Sequence, residues 1–157
     1  MILWRIATET HSFSADDLSG AGAARHPGRW NDQNEPVVYA STTLALAALE
    51  TAAHLDTSGL PLNRFVVRID VPENVWAAKE SPPANELPAG WDAVPSGTAS
   101  ARYGSRWLLA GRSPIMLLPS VIVPEERIAL INPRHPLAGK LSAAVLRRFE
   151  YDLLFRT

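Results

Sequence analysis

The chain contains no cysteine. Disulfides, thiolate nucleophiles and zinc sites with sulfur ligands are therefore excluded, and the absence fits a reducing compartment. It also lacks an excess of either charge: fifteen Lys and Arg stand against sixteen Asp and Glu, a formal net charge of −1. Such a surface has no general pull on phosphate backbones or anionic lipid, so no nucleic-acid or membrane partner is expected. No apolar run approaches the roughly 20 residues that span a bilayer. The start, Met1-Ile2-Leu3-Trp4-Arg5, has neither the basic opening nor the long apolar stretch of a signal peptide, and a cytoplasmic location is expected. The sequence has no internal repeat and no glycine fingerprint of the P-loop or dinucleotide kind. No His, Asp or Glu set has metal-ligand spacing, so no metal is expected.

What is present is globular. The 157 residues are 46% hydrophobic and 20% charged, enough for one domain, expected over 1–157, that buries a core without staples. Ile2 to Ile6 reads as an opening strand, and Ser12 to Asn34, rich in Gly, Ser, Asp and Asn, as a long irregular loop. Loops of that length inside a small domain are often functional. Pro36 to Ala40 is a short β-branched strand. Ser41-Thr42-Thr43 offers cap hydroxyls before a helix over Thr42 to Leu55. Arg64 to Val71 alternates as a strand, and the proline-rich Lys79 to Gly97 reads as loop with a turn near Trp91. Thr98 to Gly111 is helical in pattern, although Gly104 weakens it. Two apolar runs flank Pro119-Ser120, Ile128 to Ile131 is a further strand, and Leu141 to Phe155 fits strand or helix. Short strands with two modest helices predict an α+β fold on a mixed or antiparallel sheet.

Several polar residues stand where bare structure does not ask for them. Arg29, in Gly28-Arg29-Trp30-Asn31, combines a guanidinium with an adjacent ring and suits carboxylate or phosphate recognition. Tyr39, at the end of its strand, offers a ring for stacking or for packing. Glu50 lies in an apolar helical stretch, where a carboxylate is costly to bury unless paired or used. His54 follows at i+4, and on spacing alone the two are an ordinary Glu–His pair on a solvated face. Ser120 lacks the glycine-flanked elbow of a nucleophilic serine and reads as a turn hydroxyl. Asn132-Pro133-Arg134-His135-Pro136 reads as a polar turn.

Taken in order, these pieces resemble the RES-domain toxins of bacterial toxin–antitoxin pairs, a family named for an Arg, a Glu and a Ser. The pattern runs from Trp4-Arg5 through Gly28 to Asn31, the Pro36 to Ser41 strand, Leu49, Glu50 and His54, then Leu118-Pro119-Ser120, Asn132 to Pro136 and a Phe149 to Asp152 strand. Leu118 stands where Val is usual, and the tail is Leu153-Leu154-Phe155 rather than Arg-Leu. The resemblance implies a fold similar to ADP-ribosyltransferases, NAD+ as substrate, and cleavage of the nicotinamide–ribose bond by phosphorolysis or hydrolysis, with ADP-ribosyl transfer to a host protein as the alternative. It implies catalytic roles for Arg29, Tyr39, Glu50 and Ser120. NAD+-binding roles are implied for Arg29, Tyr39, His54, Ser120 and Asn132, His54 and Asn132 acting as orienting neighbours. It further implies an Xre-type helix-turn-helix antitoxin as partner and is compatible with a homodimer within a larger complex. A non-catalytic module holding a nucleotide or a partner segment in the same cleft is the competing class.

Overall fold

The alternating, β-branched Arg64–Asp70 and the wholly apolar Ile115–Pro119 form strands, and the stretches Leu44–Ala52 and Thr98–Ala110 form helices. The computed structural model describes residues 1–155; the last two positions of the expected 1–157 domain lie outside the described residues. The strands are β1 (Ile2–Thr8), β2 (Val38–Ser41), β3 (Arg64–Asp70), β4 (Ile115–Pro119), β5 (Arg127–Ile131) and β6 (Ser142–Arg148). They make one six-stranded sheet in the order β4-β5-β2-β1-β3-β6. Every neighbouring pair is antiparallel, and a lone parallel bridge between Glu80 and Met116 is the only mixed element among the described residues. The helices are α1 (Ala21–Arg25), α2 (Leu44–Ala52), α3 (Glu73–Ala77) and α4 (Thr98–Ala110). This is an α+β fold.

The sheet is two three-stranded halves joined narrowly. β1 pairs with β3 along its whole length, but β1 and β2 share a single register pair, Trp4 with Ser41. Strand alternation sends Leu3, Val38, Val67, Ile115 and Ala129 into one core that spans both halves. On the opposite face the halves carry separate cores. Val37, Met116, Leu118 and Leu130 pack with Trp30 and Trp107 under α4, whereas Ile6 and Val66 pack with Ala47 and Tyr151 under α2. The narrow join between β2 and β1 therefore lies between two helix-covered cores.

The departures from expectation are local. α2 ends at Ala52 rather than Leu55, where the Thr51 hydroxyl bonds back to the Ala47 and Ala48 carbonyls and the chain turns. The Ser12 to Asn34 loop contains the one-turn α1. Of the two apolar runs beside Pro119-Ser120 only the first is a strand, and Phe149 to Asp152 leads into a 3-10 turn at Tyr151–Leu154 instead of extending β6. The ambiguous tail is resolved as strand over Ser142–Arg148.

Gly104 shows why a weak helix former sits mid-helix. A Cβ built there would stand 1.7 Å from the Trp30 carbonyl oxygen, so α4 and the Trp30 loop touch backbone to backbone. In a free helix Gly→Ala gains about 1 kcal/mol. Here Gly104→Ala is expected to cost at least the 1–3 kcal/mol typical of overpacking, roughly, read as a lower urea midpoint at unchanged slope.

Candidate active site

Ser120 follows the proline that ends β4, and its backbone N–H donates to the Glu126 carbonyl at 3.0 Å, closing the β4–β5 turn. Its hydroxyl accepts the Ile122 and Val123 N–H groups at 3.1 and 3.0 Å and donates to Glu50 Oε1 at 2.6 Å. A hydroxyl has one donor and two acceptor positions, and all three are in use. Ser120 is 1% exposed. It is thus a fixed strut for the Glu50 carboxylate and not a free hydroxyl aimed at a ligand.

Glu50 is half-buried in the last turn of α2, and Oε2 has no hydrogen-bond partner among the described residues. The other end of α2 is fastened to the same turn. Thr43 caps the helix by accepting the Leu46 N–H at 3.2 Å and donates its hydroxyl to Glu126 Oε2 at 2.9 Å. Seven residues of helix, about 10 Å, are bracketed by one β-turn, so Glu50 has little freedom to move along the sheet.

Arg29 and Tyr39 form the second group. The Tyr39 hydroxyl accepts the Trp30 N–H at 2.9 Å and donates to Asn31 Oδ1 at 2.8 Å. The same Oδ1 accepts the Gly28 N–H at 2.8 Å, and Asn31 Nδ2 faces the carbonyls of Ala23, Asp32 and Glu35 at 2.9–3.1 Å. A Cβ on Gly28 would lie 2.7 Å from the Tyr39 ring, so any side chain here would push the phenol off its hydrogen bonds to Trp30 and Asn31. Arg29 donates Nη1 to the Trp91 and Ala93 carbonyls at 2.9 and 2.7 Å, and Nε and Nη2 have no partner among the described residues. The expected ring support for this guanidinium is absent. Trp30 turns into the core instead, stacks on Trp91 at 6.2 Å and meets the edge of Tyr103 at 6.0 Å. Its indole N–H is the buried side-chain polar atom left without a partner among the described residues.

The structure brings Glu50 to Ser120, and Arg29 to Tyr39, with Tyr39 and Ser120 on the same sheet face. The side chains of the other two candidates make no hydrogen bond to these four among the described residues. His54 lies beyond α2 in an exposed turn, where its backbone N–H meets the Thr51 carbonyl. Asn132 is six residues along β5 from the partner of Ser120, roughly 20 Å at strand rise. There it donates to the Leu108 carbonyl at 3.1 Å and accepts the Arg134 N–H, tying the end of α4 to the sheet. His135 caps the following 3-10 turn by accepting the Leu137 N–H. Arg5 is half-buried on the far face of β1, its Nη1 on the Asp17 carbonyl at 3.1 Å; desolvation lowers its pKa and the Asp17 charge opposes that shift. The anchoring roles of Asn31 and Trp91, and the bond from the expected cap residue Thr43 to Glu126, were not visible in the sequence, since each depends on a partner brought near by the fold.

No group of His, Asp or Glu among the described residues is arranged to hold a metal. No described helix is long and apolar enough to cross a membrane.

Burial raises the Tyr39 pKa above the ordinary tyrosine range, partly offset by the Trp30 N–H and the Arg29 charge. The folded chain therefore favours the protonated phenol. Its contribution to stability is complete below about pH 10, the unfolded value, and is lost as the pH climbs toward the folded one. Tyr103 shifts in the same direction, chiefly through burial. Tyr39→Phe is expected to flatten, though not abolish, the loss of thermal stability between pH 9 and 11, measured as melting temperature in that range. Ser120→Ala leaves two turn N–H groups without their acceptor and is expected to cost about 1–3 kcal/mol, measured by urea unfolding.

Residues 2–153 match the RES domain family. The chain is 50% identical over 149 residues to the Prs ADP-ribosylating toxin of Sphingobium sp. (strain YBL2), covering 95% of this chain and 92% of the relative. It is 38% identical to the Toxin Res of Pseudomonas putida, with 88% of each chain covered. It is 34% identical to the Toxin Res of Photorhabdus laumondii subsp. laumondii, covering 85% of this chain and 82% of the relative. A family match over nearly the whole chain, with relatives up to 50% identical, shows that the chain belongs to the RES domain family.

Proposed function

We propose that the chain is the toxin of a toxin–antitoxin pair and that it uses NAD+, breaking the nicotinamide–ribose bond. The observation that carries this reading is the Glu50 carboxylate, held through Oε1 by Ser120 and open at Oε2. Breaking that bond passes through an oxocarbenium-like state, as in glycoside cleavage. A fixed carboxylate beside the ribose stabilises the growing positive charge and accepts the 2′-hydroxyl hydrogen bond. The free Nε and Nη2 of Arg29 present a two-pronged donor for a phosphate oxygen pair of the dinucleotide. The Tyr39 phenol is committed to Trp30 and Asn31, so its part in NAD+ binding is the ring face and its part in the site is holding the Arg29 loop. Asn132 ties α4 to the sheet, and the exposed His54 makes no side-chain hydrogen bond to this machinery among the described residues.

The electron pair of the broken bond leaves with nicotinamide, and an acceptor supplies a new pair to the ribose carbon. A relative 50% identical over nearly the whole chain is named for ADP-ribosylating Prs, which favours transfer to Prs over transfer to water or phosphate. The antitoxin, of the helix-turn-helix Xre type, blocks the site by placing a carboxylate on the free edge of Arg29, where it imitates a phosphate.

Purified protein incubated with NAD+, phosphate and Prs is expected to release nicotinamide and to raise the mass of Prs by ADP-ribose. Free ADP-ribose identifies water as acceptor, and its 1″-phosphate identifies phosphate. No nicotinamide release under any of these conditions overturns the reading. Glu50→Gln keeps shape and removes charge, and is expected to lower turnover by about 10²–10³-fold in a chain that still folds. Arg29→Ala is expected to act mainly on KM for NAD+.

A further inference from the structure

The proline-rich segment after α3 ends in a loop, 88–97, whose internal hydrogen bonds are two local turns, Trp91 N–H to the Pro88 carbonyl and Ala93 N–H to the Gly90 carbonyl. Residues 92–97 are exposed. What fastens the tip of this loop to the body comes from two adjacent residues some sixty positions earlier. Arg29 clamps the Trp91 and Ala93 carbonyls through one nitrogen, and Trp30 stacks on the Trp91 ring with 23° between the planes. Arg29 and Trp30 are in turn set by the Tyr39 and Asn31 hydrogen bonds to their backbone segment.

A guanidinium is a rigid planar fork. With Nη1 committed to the loop, the opposite edge, Nε and Nη2, is the edge that binds an anion bidentately. An anion there sits a few ångströms from the Trp91 backbone, on the far side of the same planar group. Trp91 is half-buried, so part of its indole remains open next to that position.

We infer that the 88–97 loop is a wall of the dinucleotide site, latched by Arg29, and that Trp91 contacts the bound nucleotide. This rests on the NAD+ reading above. Arg29 then has two jobs, holding the wall with one edge and the ligand with the other. Lysine performs neither fully, because a point charge on a flexible stem cannot span two carbonyls and an anion in one plane. Trp91 is a positioning residue for the substrate, contributing ring contact that is worth about tenfold or more in affinity for a nucleotide base.

The test uses ADP-ribose, which carries the pyrophosphate but no nicotinamide and so does not turn over. Hydrogen exchange of 88–97 is followed by mass spectrometry in wild type and Arg29→Lys, and ADP-ribose affinity is measured in wild type, Trp91→Ala and Trp91→Phe. Without ligand, Arg29→Lys is expected to exchange faster in 88–97 than wild type while the core strands are unchanged. ADP-ribose is expected to slow exchange of 88–97 in wild type, and Trp91→Ala to weaken its binding about tenfold, with Trp91→Phe recovering most of the loss. Equal ligand-free exchange in wild type and Arg29→Lys overturns the latch. ADP-ribose that binds without slowing 88–97, or that binds Trp91→Ala as tightly as wild type, overturns the wall. ADP-ribose that fails to bind wild type overturns the NAD+ reading and the wall with it, while the latch is still decided by the ligand-free comparison.

Discussion

Asn31 is a buried amide, 1% exposed, whose oxygen and nitrogen both work at capacity. Its oxygen ties the Tyr39 phenol on β2 to the Gly28 N–H, and its nitrogen gathers carbonyls from α1 and from the segment leading into β2. A long loop has little local reason to hold one shape, since ordering its backbone costs about 1–2 kcal/mol per residue. One saturated polar group at its centre replaces many weak contacts, because a buried amide that lost its partners would cost its full desolvation. The placement of Arg29, and through Arg29 and Trp30 of the 88–97 loop, follows from that constraint.

The other half of the site is positioned by different means. α2 is short and is held by hydrogen bonds at both ends to one turn, Thr43 to Glu126 and Glu50 to Ser120. That turn belongs to the β4-β5-β2 half of the sheet, whereas the core beneath α2 belongs to the β1-β3-β6 half. α2 therefore bridges the two halves where the strands themselves meet at only one register pair. A carboxylate that serves as a structural tether has a fixed position before any ligand arrives, which is the preorganisation that electrostatic stabilisation requires.

How far the sequence disclosed this depends on whether the signal was local. The Arg64–Asp70 strand and the Thr98–Ala110 helix were legible because period and caps are properties of neighbouring residues. Gly104 was legible only as a flaw in a helix; its reason is the Trp30 carbonyl, about seventy residues away. Glu50 stood out as a carboxylate in an apolar stretch, yet its partner Ser120 read as a plain turn serine. Both readings hold, since the serine makes its turn and orients the carboxylate with the same oxygen. His54 and Asn132 were drawn in by their place in an ordered motif, and motif order carries no distance. An i+4 spacing means a shared face only while the helix continues, and past Ala52 the chain tightens, the Ala53 N–H still meeting Leu49 but the His54 N–H meeting Thr51. Asn31 was noted as the end of a tetrapeptide, and nothing in that tetrapeptide showed that its amide would organise the loop.

A single committed carboxylate also bears on the chemistry. Enzymes that cleave ordinary glycosides use two carboxyl groups, because an alkoxide leaving group must be protonated as it departs. Nicotinamide in NAD+ is already positively charged and leaves neutral, so no acid is needed to help it go. What remains is to stabilise the ribosyl cation and to hold the dinucleotide still, tasks for one fixed anion and one fixed cation. The described structure offers that pair on one side of the sheet, Glu50 braced by a saturated serine and Arg29 braced by backbone carbonyls. On the proposed reading Ser120, with every position of its hydroxyl occupied, is not the acceptor of the ribosyl group. The choice among water, phosphate and a protein side chain is then set by what the open side of the site admits beside Glu50.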